Sequence, residues 1–74
     1  MRLTEVQPNQ IVRVVSFDGD VLHTKLTQFG MYPGDSLRVL RRAPFKGPIL
    51  VEVGGREVAL GLRVAEKVLV EEAG

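Results

Sequence analysis

The sequence predicts a mainly β fold: a small five-stranded barrel with one short inserted helix and a helical turn before the last strand. Three observations predict it. Short runs rich in valine and isoleucine recur between turn signals. Two of these runs, Ile49 to Val53 and Arg56 to Leu60, are joined by Gly54-Gly55, a two-residue hairpin signal. One stretch, Leu22/Leu26/Phe29, has the i, i+4, i+7 spacing of a helical face. The 74 residues make one domain, 1–74. A chain of this size buries only about 60% of its unfolded surface. A sheet so small, with a shallow aliphatic face, is expected to close into a barrel, which also removes exposed strand edges.

Each element has a local reason. Gln10 to Ser16 reads as the first strand, between the turns Pro8-Asn9 and Asp18-Gly19-Asp20. Asp20 is placed to cap a helix of about ten residues. That helix is too short to be stable alone, so its Leu22/Leu26/Phe29 stripe must pack on the sheet. Gly30 falls where a left-handed residue ends a helix, and Pro33 prevents the helix from resuming. Ser36 to Arg42 reads as the second strand, with Leu37 and Val39 on one face and Arg38 on the other.

The Gly54-Gly55 turn sets the register of the next two strands. Val53 opposes Arg56, Val51 opposes Val58, and Ile49 opposes Leu60, which makes one face aliphatic. The other face sets Leu50 against Ala59 and Glu52 against Glu57. Like charges directly opposite are tolerable only where water screens them, so that face belongs to solvent. Gly61 to Glu66 makes one helical turn with Leu62 and Ala65 inward. Lys67 to Glu71 is the last strand, through Val68 and Val70.

Composition excludes more than it assigns. Ten basic and nine acidic residues leave a net charge of +1, too balanced to imply nucleic acid. The chain has no cysteine, hence no disulfide framework or thiolate metal site. It lacks a signal-peptide pattern and an apolar run of the roughly 20 residues a membrane helix needs. The expectation is a cytoplasmic protein. His23 is the only histidine. With Asp18 and Asp20 it makes a weak metal-ligand set, against the simpler reading of a cap, a turn residue and an exposed histidine. No nucleophile–base pair or phosphate loop emerges, so there is no positive sign of an enzyme and no cofactor is implied. Arg38, Arg41, Arg42 and Lys46 form a local basic cluster that fits either an acidic partner or a solvated strand end. As a nucleic-acid surface it has only Phe45 and Tyr32 for stacking. Phe45, between two prolines, reads either as an exposed apolar contact beside Leu50 and Ala59 or as a cap folded over the barrel.

Three ordered motifs stand out: Phe29-Gly30-Met31-Tyr32-Pro33-Gly34, then the Ala43 to Ile49 loop, then Leu60 to Val70. In this order they resemble one family, the ferrous iron transport protein A (FeoA) family. Phe29-Gly30-Met31-Tyr32-Pro33-Gly34 is similar to its helix ending in Leu-Gly-Leu-x-Pro-Gly. Ala43-Pro44-Phe45-Lys46-Gly47-Pro48-Ile49 is similar to its Ala-Pro-x-x-x-Pro-Ile loop. Leu60-Gly61-Leu62-Arg63-Val64-Ala65-Glu66-Lys67-Val68-Leu69-Val70 is similar to its closing Leu-Arg-x-x-x-Ala-x-x-Ile-x-Val segment. Gly61 stands where the family usually has arginine, and Thr24-Lys25 where it commonly has Arg-Arg.

The resemblance implies an SH3-like barrel and a non-enzymatic accessory role in bacterial ferrous iron uptake. The partner it implies is a large GTP-binding iron permease (FeoB-like), met on the cytosolic side, so that the membrane is reached only through the permease. Self-association is left open. The side chains that turn geometry does not require are the expected contacts: Arg41, Arg42, Phe45 and Leu50 as one patch, Met31 and Tyr32 as a second. A nucleic-acid-binding barrel using Arg38/Arg41/Arg42/Lys46, or direct metal binding through His23, are the alternatives.

Overall fold

The computed structural model describes residues 1–73 and is built on one antiparallel sheet. Its strands are β1 (Ile11–Phe17), β2 (Ser36–Arg42), β3 (Ile49–Val53), β4 (Arg56–Leu60) and β5 (Val68–Glu72), in the spatial order β4-β3-β2-β1-β5. Helix α1 (Asp20–Gln28) joins β1 to β2, and α2 (Leu62–Ala65) joins β4 to β5. The β3–β4 register is the expected one at all five positions, Ile49 opposite Leu60 through to Val53 opposite Arg56. Glu52 and Glu57 face each other in solvent.

The core is aliphatic. Val12, Val14, Leu37, Val39, Ile49, Val51, Val68 and Val70 fill the inner face, and among the described residues no polar side chain is buried. Leu60 of β4 and Val68 of β5 belong to the same cluster, so the sheet wraps one core as a small barrel. The expectation that closure removes both edges needs correcting. Strands β4 and β5 end the sheet and do not pair. The outer edge of β5 is covered by the N-terminal segment, through an Arg2–Leu69 bridge and a bond from the Val70 amide to the Met1 carbonyl (2.7 Å). Among the described residues nothing comparable covers β4.

Sequence reading missed two kinds of feature. A 3-10 turn at Leu3–Glu5 buries Leu3 and Val6 beneath the sheet; their three-residue spacing was the only local signal. Two β-bulges, at Val15 and Leu40, interrupt β1 and β2. In β1 the inward residues are Val12 and Val14, then Phe17. An extra residue in a strand flips the parity of side chains beyond it, and this is why Phe17 and not Ser16 points inward at the end of β1.

Helix α1 corrects two further expectations. Its N-cap is Gly19, with φ +110°, and Asp20 lies in the first turn, where its charge opposes the positive end of the helix dipole. The apolar stripe is also redistributed: Leu26 is buried, Leu22 packs partly on the core, and Phe29 is exposed. Met31 takes the place expected of Phe29.

The reason is the helix stop. The Gly30 amide bonds the Thr27 carbonyl and the Met31 amide bonds the Leu26 carbonyl, both at 3.0 Å, with Gly30 at φ +84°. This is a Schellman motif, in which the second residue past the cap packs on the last helical turn. Met31 therefore turns inward beside Leu26, while Phe29, at the cap itself, is left outside.

Candidate functional site

The strongest outlier in the molecule is the tip of the β2–β3 hairpin. The Ala43 amide bonds the Pro48 carbonyl (2.9 Å) and the Gly47 amide bonds the Pro44 carbonyl (3.1 Å), which leaves Phe45 and Lys46 as a two-residue loop. Both have positive φ, +59° and +58°. Two consecutive left-handed residues are the mark of a type I′ hairpin turn, whose natural occupants are Asn, Asp and Gly. An L residue with a full side chain costs roughly 1–2 kcal/mol in that conformation. Phe45 is also 99% exposed, so the ring recovers nothing by packing. The reading of Phe45 as a barrel cap is thereby excluded. It is held away from the fold on a type I′ turn, with its ring in solvent.

The residues around it separate into two groups. Arg41 lies opposite Leu50 across the β2–β3 ladder, on the solvent face, with Leu50 half-buried. These two and Lys46 stand with Phe45. Arg42 lies opposite Ile49, a core residue, and its guanidinium donates to the carbonyls of Thr4 and of Val6 (2.8 Å to the latter). The expectation of Arg42 as a free contact needs correcting: the Leu40 bulge points it to the other side, where it ties down the N-terminal turn.

The second expected patch is not one surface. Met31 is 1% exposed, so its assignment as an exposed contact is overturned by the Schellman packing. Tyr32 is half-exposed on the turn Tyr32–Asp35, where the Asp35 amide bonds the Tyr32 carbonyl (3.0 Å) and Gly34 has φ +96°. Pro33 and Gly34 sit where a type II turn wants them. That turn and the Phe45 tip lie at opposite ends of β2, seven residues apart along the strand, or roughly 20 Å. They cannot form one patch.

The other candidates disperse as well. The His23 ring packs edge-on against Phe17, with centroids 5.7 Å apart. Among the described residues no three His, Cys, Asp or Glu side chains gather where a metal could be held. Within the basic cluster, Arg38 lies opposite Glu52 and Arg42 is bound to backbone, which leaves Arg41 and Lys46 as the outward cations beside Phe45. No helix of the described residues is long and apolar enough to cross a membrane.

Comparison with known proteins gives the setting. No curated protein matches the chain significantly. A family model described as the FeoA domain matches residues 1–72. An iron uptake regulatory protein (FeoA) crystal structure is similar at 33% identity and a TM-score of 0.84, over 97% of this chain and 95% of that one. Iron(II) transport protein A from Clostridium thermocellum is similar at 30% identity and a TM-score of 0.88; this chain is covered to 97% but spans only 45% of that protein. FeoA from Stenotrophomonas maltophilia, a prokaryotic SH3 domain protein, is similar at 28% identity and a TM-score of 0.80, over 96% of this chain and 89% of that one. With the fold, the ordered motifs and a family match across almost its whole length in agreement, the chain belongs to the FeoA family of accessory proteins in ferrous iron transport.

Proposed function

We propose that this chain is a non-enzymatic protein-binding module that acts on a GTP-binding ferrous iron permease from the cytosolic side. The observation that carries the reading is Phe45: fully exposed and held in left-handed backbone at a hairpin tip. Backbone strain retained at a surface position, with no packing gained, points to a use outside the fold. An aromatic anchor flanked by cations is also the usual composition of an interface hot spot. In this reading Phe45 enters an apolar pocket on the permease, Leu50 extends the apolar contact, and Arg41 and Lys46 meet acidic groups around it. The description of the Stenotrophomonas relative as a candidate ferrous iron transport activating factor supports the same role.

The test is a pull-down of the cognate permease's cytosolic domain by this chain, with and without guanine nucleotide. Retention by the native chain, and its loss in Phe45→Ser, is expected. Equal retention by both proteins would remove Phe45 from the interface, and no retention in any nucleotide state would sink the reading.

A further inference from the structure

A second surface lies along the free edge of β4, one strand away from the Phe45 patch, with Ala59 the register partner of Leu50. A groove of about 240 Å³ runs between α1 and β4, with Leu22, Leu26 and Phe29 on one wall and Val58, Ala59 and Leu60 on the other. Consecutive strand residues point to opposite faces of a sheet. That Val58, Ala59 and Leu60 all line the groove means that the strand edge itself is presented.

The register says which backbone groups are free. Val53 and Arg56 flank the two-residue Gly54-Gly55 turn, which makes them a hydrogen-bonded pair. Alternation then turns Arg56, Val58 and Leu60 toward β3 and the amide and carbonyl of Glu57 and Ala59 away from it. Among the described residues neither makes a backbone bond outside the sheet. An open edge beside an apolar groove is the arrangement that accepts an added strand.

Charge selects the occupant. The groove continues past Lys25 into a second hollow of about 350 Å³, where Lys25, Arg63 and Lys67 face Asp18 and Asp20. None of the five makes a salt bridge among the described residues, and the cations outnumber the acids. Glu57 stands on the far, solvent face of β4 and repels acids placed there, so acidic side chains fit only on the groove side, toward Arg63.

We infer that β4 accepts an extended partner segment as a sixth, antiparallel strand. Apolar side chains of that segment seat between α1 and β4, and acidic residues at its N-terminal end meet Lys25 and Arg63. This inference rests on the reading of the chain as a protein-binding module and adds a docking surface distinct from Phe45.

The probe is the blocked peptide Glu-Thr-Glu-Thr-Val-Thr-Leu-Thr, whose two acids share a face with its valine and leucine, titrated into the labelled full chain and followed by amide NMR, with no permease present. Shifts concentrated at Glu57 to Gly61 and Leu22 to Phe29 are expected. A peptide with lysines in place of its two acids should bind about tenfold more weakly, as should the Lys25→Glu/Arg63→Glu variant. Ala59→Pro removes an outward amide and spares the β3 pairing, so it should abolish binding. If that variant does not fold, methylating the peptide's own strand amides tests the same bonds. Shifts elsewhere, no shifts up to about 1 mM peptide, or binding indifferent to amide methylation would overturn the inference. Since the permease is absent, this outcome is independent of the pull-down.

Discussion

Two connections leave the ends of β2, and they treat positive φ in opposite ways. Before β2, Gly30 and Gly34 occupy the left-handed positions, and the intervening Met31 is buried against the helix end. Geometry, residue type and packing agree there. After β2, Phe45 and Lys46 occupy the left-handed positions, and the apolar ring points into water. Where local and global preferences agree, a segment is explained by folding alone. Where they conflict at no gain in packing, the residue is held by something other than stability. The first turn identifies the fold, and the second carries the interface we propose.

Mutations can break this comparison, and the largest effects belong to the first turn. Met31→Ala removes a fully buried side chain from a thin core and should cost about 3 kcal/mol, read as a fall in the urea midpoint. If it costs less than about 1 kcal/mol, Met31 is not the packing partner that the helix stop supplies. Gly30→Ala comes next, at about 2 kcal/mol. It places a side chain at φ +84° and against the Arg56 guanidinium, which donates to the Phe29 carbonyl. Thermal unfolding some 8–16 °C lower is the expected reading for a domain of this size.

The second turn should respond with the opposite sign. Replacing Phe45 and Lys46 by Asn and Gly gives the type I′ turn its preferred residues and should stabilise the protein by about 1 kcal/mol, while permease capture is lost. A stability loss would mean that the Phe45 ring packs on the fold after all. Of similar size, Arg42→Ala should cost about 1 kcal/mol by releasing the Thr4 and Val6 carbonyls, with protection of the N-terminal amides from hydrogen exchange falling first. Glu71→Gln breaks the exposed Arg13–Glu71 pair (3.0 Å) and should change stability by less than about 0.5 kcal/mol.

How much was legible follows from the range of the signals. The β3–β4 hairpin was read in full because a two-residue turn determines the register of every pair beyond it. The turn Tyr32–Asp35 was legible for the same reason, since Pro33 and Gly34 carry their own backbone preference. Phe29 and Met31 were exchanged because helical spacing places side chains on a face and cannot tell where the last turn unwinds. The candidate site was legible in part. Phe45, Arg41 and Leu50 share one end of the hairpin, but Arg42 beside them turns to the N-terminal segment because of a bulge with no sequence signature.

Local chemistry in the sequence therefore determined the element types, the helix stop, the hairpin register and the aliphatic character of the core, because each depends on residues within a few positions of one another. Only the tertiary structure decided which side chains the two bulges send inward, that Met31 and not Phe29 completes the core, that Phe45 stays in water, and that β4 keeps an unpaired edge. Those outcomes depend on segments far apart in the chain competing for the same limited volume and the same backbone hydrogen bonds.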